Sequence, residues 1–295
     1  MKTRGFALIL VLWVLVLLSI LASSFSSAVR IETRSGSWAT DSTTAEAMAI
    51  AAINRAVLAL SHDDPNQRWR TDGEPQPFTL AGRRTMIRLR NEAGKIDINF
   101  VPREILVNFF ANQVPAADPN VLADALIDWR DRDSQRSPNG AEAADYLAAG
   151  LNYVPANAPL SSVDELSLVK GFSGSLVEQI RPWITVHARQ PRIDISTAPL
   201  QVIQALPGIT PDLAQRFIEK RGPALQEDQP IDTADLRPAR RYIVDFPSSS
   251  LVNIELEMDI DGYQHREQAV VRLQSADADF EILARQPMAP RKTES

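Results

Sequence analysis

The longest apolar stretch of the chain lies near its N-terminus. Lys2 and Arg4 precede Gly5, and residues 6–29 then run 24 positions without a charge. As a helix this segment is roughly 36 Å long, enough to cross a hydrocarbon core of about 30 Å. Basic residues before it, with acidic ones only later, place the N-terminus in the cytoplasm and the bulk of the chain outside. A secretory signal peptide cut after Ser26-Ser27-Ala28 is the plainer alternative. Two features weigh against it. The apolar run starts almost without an n-region, and the helical pattern resumes beyond Arg30. Ala45, Met48, Ala49, Ala52, Ile53, Ala56, Val57 and Leu60 recur at i, i+3, i+4, i+7 and form one stripe. With a bend allowed at Ser35-Gly36-Ser37, residues 6–60 make a helix roughly 80 Å long. Half in the membrane and half under a soluble domain, it reads as an assembly rod whose stripe receives neighbouring subunits.

Beyond Leu60 the period changes from helical to alternating. Phe78 to Leu80 and Thr85 to Arg90 predict a hairpin across Ala81 to Arg84. Leu251 to Ile260 and Tyr263 to Leu273 predict a second, turning at Asp261-Gly262, with Phe280 to Ala284 as a further strand. Strands at both ends with helices between them predict an α+β frame holding an inserted all-α domain. The expected divisions are 1–5, 6–29, 30–95, 96–245 (the insert) and 246–295. The insert repeats itself. Lys95-Ile96-Asp97-Ile98-Asn99-Phe100-Val101-Pro102 aligns with Arg192-Ile193-Asp194-Ile195-Ser196-Thr197-Ala198-Pro199, 97 residues later. Each copy leads into an apolar helical pattern, so a duplicated helix-hairpin-helix or SAM-like unit is expected.

Composition removes chemistry rather than adding it. The 295 residues include no cysteine, which excludes thiolate catalysis, disulfides and Cys-based metal sites. Lys+Arg 31 against Asp+Glu 37 is the wrong balance for a general nucleic-acid binder. Leu206-Pro207-Gly208-Ile209-Thr210, with Val169-Lys170-Gly171-Phe172-Ser173 as a poorer copy, looks like a helix-hairpin-helix turn that can hold a phosphate. Both copies lack the second glycine, so packing is the plainer role. No catalytic motif is present, and Asp164-Glu165 reads as the acidic first turn of a helix. His187 reads as a domain-edge histidine.

One cluster does suggest a ligand. Asp128-Trp129-Arg130-Asp131-Arg132-Asp133 leads into a polar loop, then Glu142 and Asp145. Hard cations take six to eight oxygens from such mixed carboxylate and carbonyl sources. The alternative is a solvated loop whose acids pair with Arg130, Arg132 and Arg136.

Two resemblances sharpen the picture. Lys2-Thr3-Arg4-Gly5 followed by Phe6 resembles the leader of type IV pilins and pseudopilins. That implies cleavage between Gly5 and Phe6 by the prepilin peptidase, with methylation of Phe6. Most of that class carries Glu at the fifth mature position, where this chain has Leu10. A carboxylate in hydrocarbon is costly and is retained for a function, taken in the family to be neutralising the next subunit's amine. A subunit with Leu10 lacks that partner group and is expected at a filament tip. The stretch from Leu122 to Phe172 resembles the K-type minor pseudopilin of type II secretion. It includes Asp128 to Asp133, Pro138-Asn139-Gly140-Ala141-Glu142, Asp145-Tyr146 and Pro155-Ala156-Asn157-Ala158-Pro159-Leu160.

The likeness implies a non-catalytic subunit with a pilin-like long helix and antiparallel sheet. It implies an inner-membrane anchor with a periplasmic C-terminal domain, and partners among I-type, J-type and major pseudopilins. It implies initiation or capping of a pseudopilus for export across the outer membrane. It also implies calcium, one or two ions, held among Asp128, Asp131, Asp133, Glu142 and Asp145, with Asp131, Asp133 and Glu142 foremost. The alternative function is a membrane-anchored helix-hairpin-helix DNA receptor.

Overall fold

The computed structural model describes residues 43–62, 64, 67–227, 229–245, 250–260, 263–274 and 279–288, together with positions 13 and 19. Gly5, Phe6, Leu10 and nearly all of 6–29 lie outside the described residues. Helix α1 (Thr43–Leu60) is long and apolar enough to cross a membrane by length and composition. It is instead laid across a sheet. Ala45, Met48, Ala49, Ala52, Ile53, Ala56 and Val57 are buried against that sheet's inner face. The stripe expected to receive neighbouring subunits is therefore consumed within the chain.

The sheet is antiparallel and five-stranded. It contains β1 (Gln76–Leu80), β2 (Arg83–Asn91), β7 (Leu251–Ile260), β8 (Tyr263–Leu273) and β9 (Phe280–Pro287), in that spatial order. Period-two alternation explains its two faces. Ile254, Leu256, Met258 and Ile260 of β7 point under α1 with Ile87, Leu89, Ala269 and Val271. Glu255 and Glu257 take the opposite face, where they pair with Arg90 at 3.4 Å and Arg88 at 3.1 Å. A second, partly exposed network ties α1 to the far strands. Arg285 donates to Glu267 of β8, itself buried, and to Glu46 of α1.

Neighbouring strands β2 and β7 pair Thr85 with Met258 through to Asn91 with Val252, although some 160 residues separate them in sequence. The intervening chain builds its own core around Phe109, Phe110, Leu126, Trp129, Tyr146 and Phe217. Its elements are β3 (Ile96–Asp97), α2 (Arg103–Gln113), α3 (Pro119–Arg130), α4 (Ala143–Ala148), α5 (Gly174–Ile180), β4 (Ile184–Thr185), β5 (Ile193–Asp194), α6 (Leu200–Ile203), α7 (Pro211–Gln226) and β6 (Ile243–Val244).

One pattern of bonds occurs twice in this region. β3 pairs in parallel with β4, and β5 with β6. Asp97 accepts from the Asn99 amide and Asp194 from the Ser196 amide, each at 2.9 Å. Arg130, at the end of α3, donates to the Ile98 and Val101 carbonyls. Arg221, in α7, donates to the Ile195 and Ala198 carbonyls at 2.8 and 2.6 Å. The hairpins correspond as well. Thr210 caps α7 just before Pro211, and Asp118 caps α3 just before Pro119. The counterpart of Leu206–Pro211 is thus Val114–Pro119, with Ala116 in place of the turn glycine, rather than the segment at Gly171. Proline at the first helical turn suits both helices, because its missing N–H has no intrahelical partner there.

Candidate metal centre

The acidic loop begins where α3 stops. Asp131 leaves helical geometry, its amide still bonded to the Ile127 carbonyl, and Arg130 is already committed to carbonyl oxygens. Four anchors then shape residues 131–142. Asp133 accepts from the Gln135 amide at 2.8 Å. Both oxygens of Asp128 lie 3.1 Å from the Ser137 amide. Asp124 accepts from Asn139 through its amide and its side chain, at 3.2 and 2.9 Å, while pairing with Arg103 at 2.5 Å. Arg136 donates to the Gly140 carbonyl and pairs with Asp145 at 3.2 Å. Trp129, Tyr146 and Tyr153 pack together, with ring centroids 5.8 to 6.3 Å apart; Trp129 and Tyr153 meet edge to face, and the other two pairs are tilted.

These anchors sort the five expected carboxylates. Asp131, Asp133 and Glu142 come together, each offering an oxygen within 4.8 Å of the others. Asp128 is fully buried and holds Ser137. Asp145 accepts from the Glu142 amide at 3.0 Å as a helix cap, besides its pairing with Arg136. None of the three clustered acids forms an ion pair with Arg130, Arg132 or Arg136 among the described residues; the pairing expected of a solvated loop forms only between Arg136 and Asp145.

The charge state of this trio is unfavourable as it stands. Burial, then the Asp133 and Asp128 carboxylates, hold Asp131 above the ordinary aspartate range. Burial, then Asp128 and Asp131, do the same to Glu142. Asp131 Oδ1 and Glu142 Oε1 are buried without a hydrogen-bond donor. A buried acceptor left unpaired costs about 1–3 kcal/mol. An all-oxygen cluster with two orphaned acceptors has the donor chemistry of a hard cation and no soft ligand to favour a transition metal.

Sequence reasoning missed the residues that shape the loop: Arg103, Asp124, Asn139 and Gly140. A weak signal existed, since Asp124 and Asp128 stand four apart on one face of α3. A Cβ on Gly140 would lie 2.0 Å from Asp128 Oδ2, so only glycine fits there.

The other candidates have structural uses. Glu165 accepts from Trp129 Nε1 at 3.0 Å and from Ser161, and Asp164 pairs with Arg181. The His187 amide donates to Thr185 Oγ1, and burial pulls its imidazole below the ordinary histidine range. The Gly208 turn is pressed against Pro238, whose Cβ lies 2.9 Å from where a glycine Cβ would be. That surface faces its own protein rather than a phosphate.

A family model described as type II secretion system protein K matches residues 101–189, which include the whole acidic loop. The chain is 28% identical over 216 residues to type II secretion system protein K of Klebsiella pneumoniae, covering 63% of this chain and 64% of that protein. It is 32% identical over 108 residues to the protein K of Dickeya chrysanthemi, covering 35% and 29%. The matches thus span less than two thirds of these relatives' lengths. The fold is similar to a chain in the crystal structure of the GspK-GspI-GspJ complex from the enterotoxigenic Escherichia coli type 2 secretion system. There the TM-score is 0.64 at 19% identity, covering 88% of this chain and all of that one. Family model, named relatives and solved fold agree in their likeness to type II secretion system protein K.

Proposed function

We propose that this chain is a minor pseudopilin that assembles with I-type and J-type pseudopilins at the tip of a type II secretion pseudopilus. It starts or caps filament growth there, anchored in the inner membrane by residues 6–29 with its folded part in the periplasm. The insert is read as a duplicated helix-hairpin-helix unit whose first copy carries a calcium loop. The role is mechanical and needs no catalytic residue.

The carrying observation is the outer face of α1. A helix that merely covered a sheet would turn polar residues outward. This one exposes Ile50 and Leu58, 46% and 59% accessible, on the side away from the sheet. Asn54 lies between them in sequence and gives its side-chain amide to the Ile50 carbonyl at 2.8 Å, so it makes little demand on solvent. Such a surface suits packing against other helices. The full-length chain in detergent micelles should form a stable complex with I-type and J-type partners. Changing both Ile50→Asp and Leu58→Asp should abolish the complex and leave the melting temperature of the chain alone unchanged. A double variant that still assembles normally would overturn the reading. The mature N-terminus supplies a second test: methylated Phe6 agrees with it, and Val29 removes it.

Calcium rests on the Asp131, Asp133 and Glu142 cluster. Adding it to chelator-treated protein should stabilise the fold by about 2.7 kcal/mol at a hundred times the dissociation constant. Asp131→Asn with Glu142→Gln should remove that gain. Wild-type protein with a calcium-independent melting temperature would exclude a stabilising site.

A further inference from the structure

The segment Ala234–Tyr242, between α7 and β6, is a nine-residue 3₁₀ helix. At three residues per turn, side chains at i and i+3 stand one above the other, so such a helix has three edges. Each edge here has its own use. Leu236, Ala239 and Tyr242 form the buried edge and enter the insert's core. Asp235, Pro238 and Arg241 form the edge that ties the segment to its neighbours. Asp235 lies 2.7 Å from Lys220, Pro238 presses on the Gly208 turn, and Arg241 reaches Glu104 at 3.0 Å.

The third edge is different. Ala234, Arg237 and Arg240 follow one another along it, and with Ile243 they line a cleft of about 220 Å³. Arg237 and Arg240 are exposed, and neither side chain forms an ion pair or hydrogen bond among the described residues. Like charges one turn apart on an eclipsed edge repel each other. The chain has a net charge of −6, yet no carboxylate is given to this pair. Asp232, which also lines the cleft, is engaged on the Ala234 amide at 2.9 Å and lies 3.7 Å from Lys220. Thr233 completes the lining and keeps its hydroxyl out of any capping bond.

Two guanidinium forks and a hydroxyl around one cleft form a donor set without an acceptor. A carboxylate would use only part of it, because it has two oxygens and one charge, and a single fork satisfies both. A phosphomonoester uses the whole set, with three acceptor oxygens and a charge of about −1.5 to −2. Its charge also offsets the repulsion between the two arginines. We infer that Arg237, Arg240 and Thr233 form a binding site for a phosphate group, carried by the free ion or by a phosphomonoester lipid headgroup. Each arginine grips two of its oxygens, and the threonine hydroxyl donates to a third.

The test uses the full chain in non-ionic detergent and metal-free buffer, so that no bound cation can recruit the anion. Radiolabelled inorganic phosphate should bind at a single site in equilibrium dialysis, and acetate at the same ionic strength should not displace it. Arg237→Gln with Arg240→Gln should weaken binding at least tenfold. Arg84→Gln with Arg192→Gln removes the same charge at two exposed arginines that also lack side-chain partners among the described residues, and should leave binding within twofold. Micelles doped with phosphatidic acid separate the two sources: displacement of bound phosphate assigns the site to a headgroup, and no displacement assigns it to the free ion. If the Arg237 and Arg240 glutamine variant does not fold, Arg237→Lys with Arg240→Lys decides instead. It keeps the charge, removes the forks and should weaken binding at least threefold. Phosphate that does not bind, acetate that displaces it, or equal losses in the two glutamine variants overturn the inference.

Discussion

The two arginine-clamped regions of the insert share one framework and treat their acids in opposite ways. In the second, Asp232 and Asp235, packed beside α7, each have a cation. Lys220 lies 2.7 Å from Asp235 and 3.7 Å from Asp232, and Arg216 adds a contact to Asp235. Lys220 accordingly holds Asp235 below the ordinary aspartate range. In the first region Arg130 is used on carbonyls and Arg136 on Asp145, leaving Asp131, Asp133 and Glu142 facing one another. The same scaffold thus yields a self-neutralised surface in one copy and a charge deficit in the other. The difference places the uncompensated negative charge in residues 131–142, not in the fold they decorate.

Removing the shared element should have the largest effect. Each arginine supplies two charge-assisted hydrogen bonds to carbonyls, worth about 1.5–3 kcal/mol apiece. Arg130→Met and Arg221→Met should each lower stability by about 4 kcal/mol in chemical denaturation of the full chain in detergent. Only Arg130→Met should also shrink the calcium-induced gain, because Asp131 follows it directly. Equal loss of the calcium response in both variants would show that the regions are not independent.

Next in size is a pH effect confined to the first region. Asp97 is buried, and desolvation pushes its carboxyl up to about 6 from 3.8, against the pull of the Asn99 and Arg189 amides. Between those values the folded state keeps a proton that the unfolded chain has released. Stability therefore falls as pH rises from about 4 to about 6, by about 2–3 kcal/mol in full, and is flat above. Asp131 and Glu142 are shifted in the same direction and add to the slope. Saturating calcium should hold them ionised and remove their share. Asp97→Asn in calcium should then leave no slope in this window beyond what other carboxylates give, and a wild-type slope in that variant would reject the assignment.

Much of this architecture could be read from the residue pattern. Alternation in Thr85–Arg90 and Leu251–Ile260 marks strands because each buries one face, and the Lys95–Pro102 echo at Arg192–Pro199 marks the repeated bonding pattern. The alternation of Asp131 and Asp133, with Glu142 placed to close a shell, singled out the three acids that meet, but not why Asp128 and Asp145 stand apart. Asp128 and Asp145 have the same chemistry as Asp131 and Glu142. Only the positions of Ser137, the Glu142 amide and Arg136 turn them into structural acceptors. Nor could periodicity say what the α1 stripe would pack against, since an apolar face specifies burial and not its partner.

The smallest effects come from two glycines, and they should differ in sign. A Cβ at Gly140 would sit 2.0 Å from Asp128 Oδ2 and 3.1 Å from the Asp124 carbonyl, both buried groups that fix the loop. Gly140→Ala must push that carboxylate aside, costing about 2 kcal/mol as overpacking and weakening the calcium response with it. Gly222 lies inside α7, where a Cβ meets nothing within 4 Å. There alanine only narrows the unfolded ensemble and should stabilise by about 0.5–1 kcal/mol, with the calcium response untouched. Melting curves with and without calcium for the two variants read both signs. A Gly140→Ala protein as stable and as calcium-responsive as wild type would mean that Asp128 does not set the loop, and the contrast between the two regions would lose its structural cause.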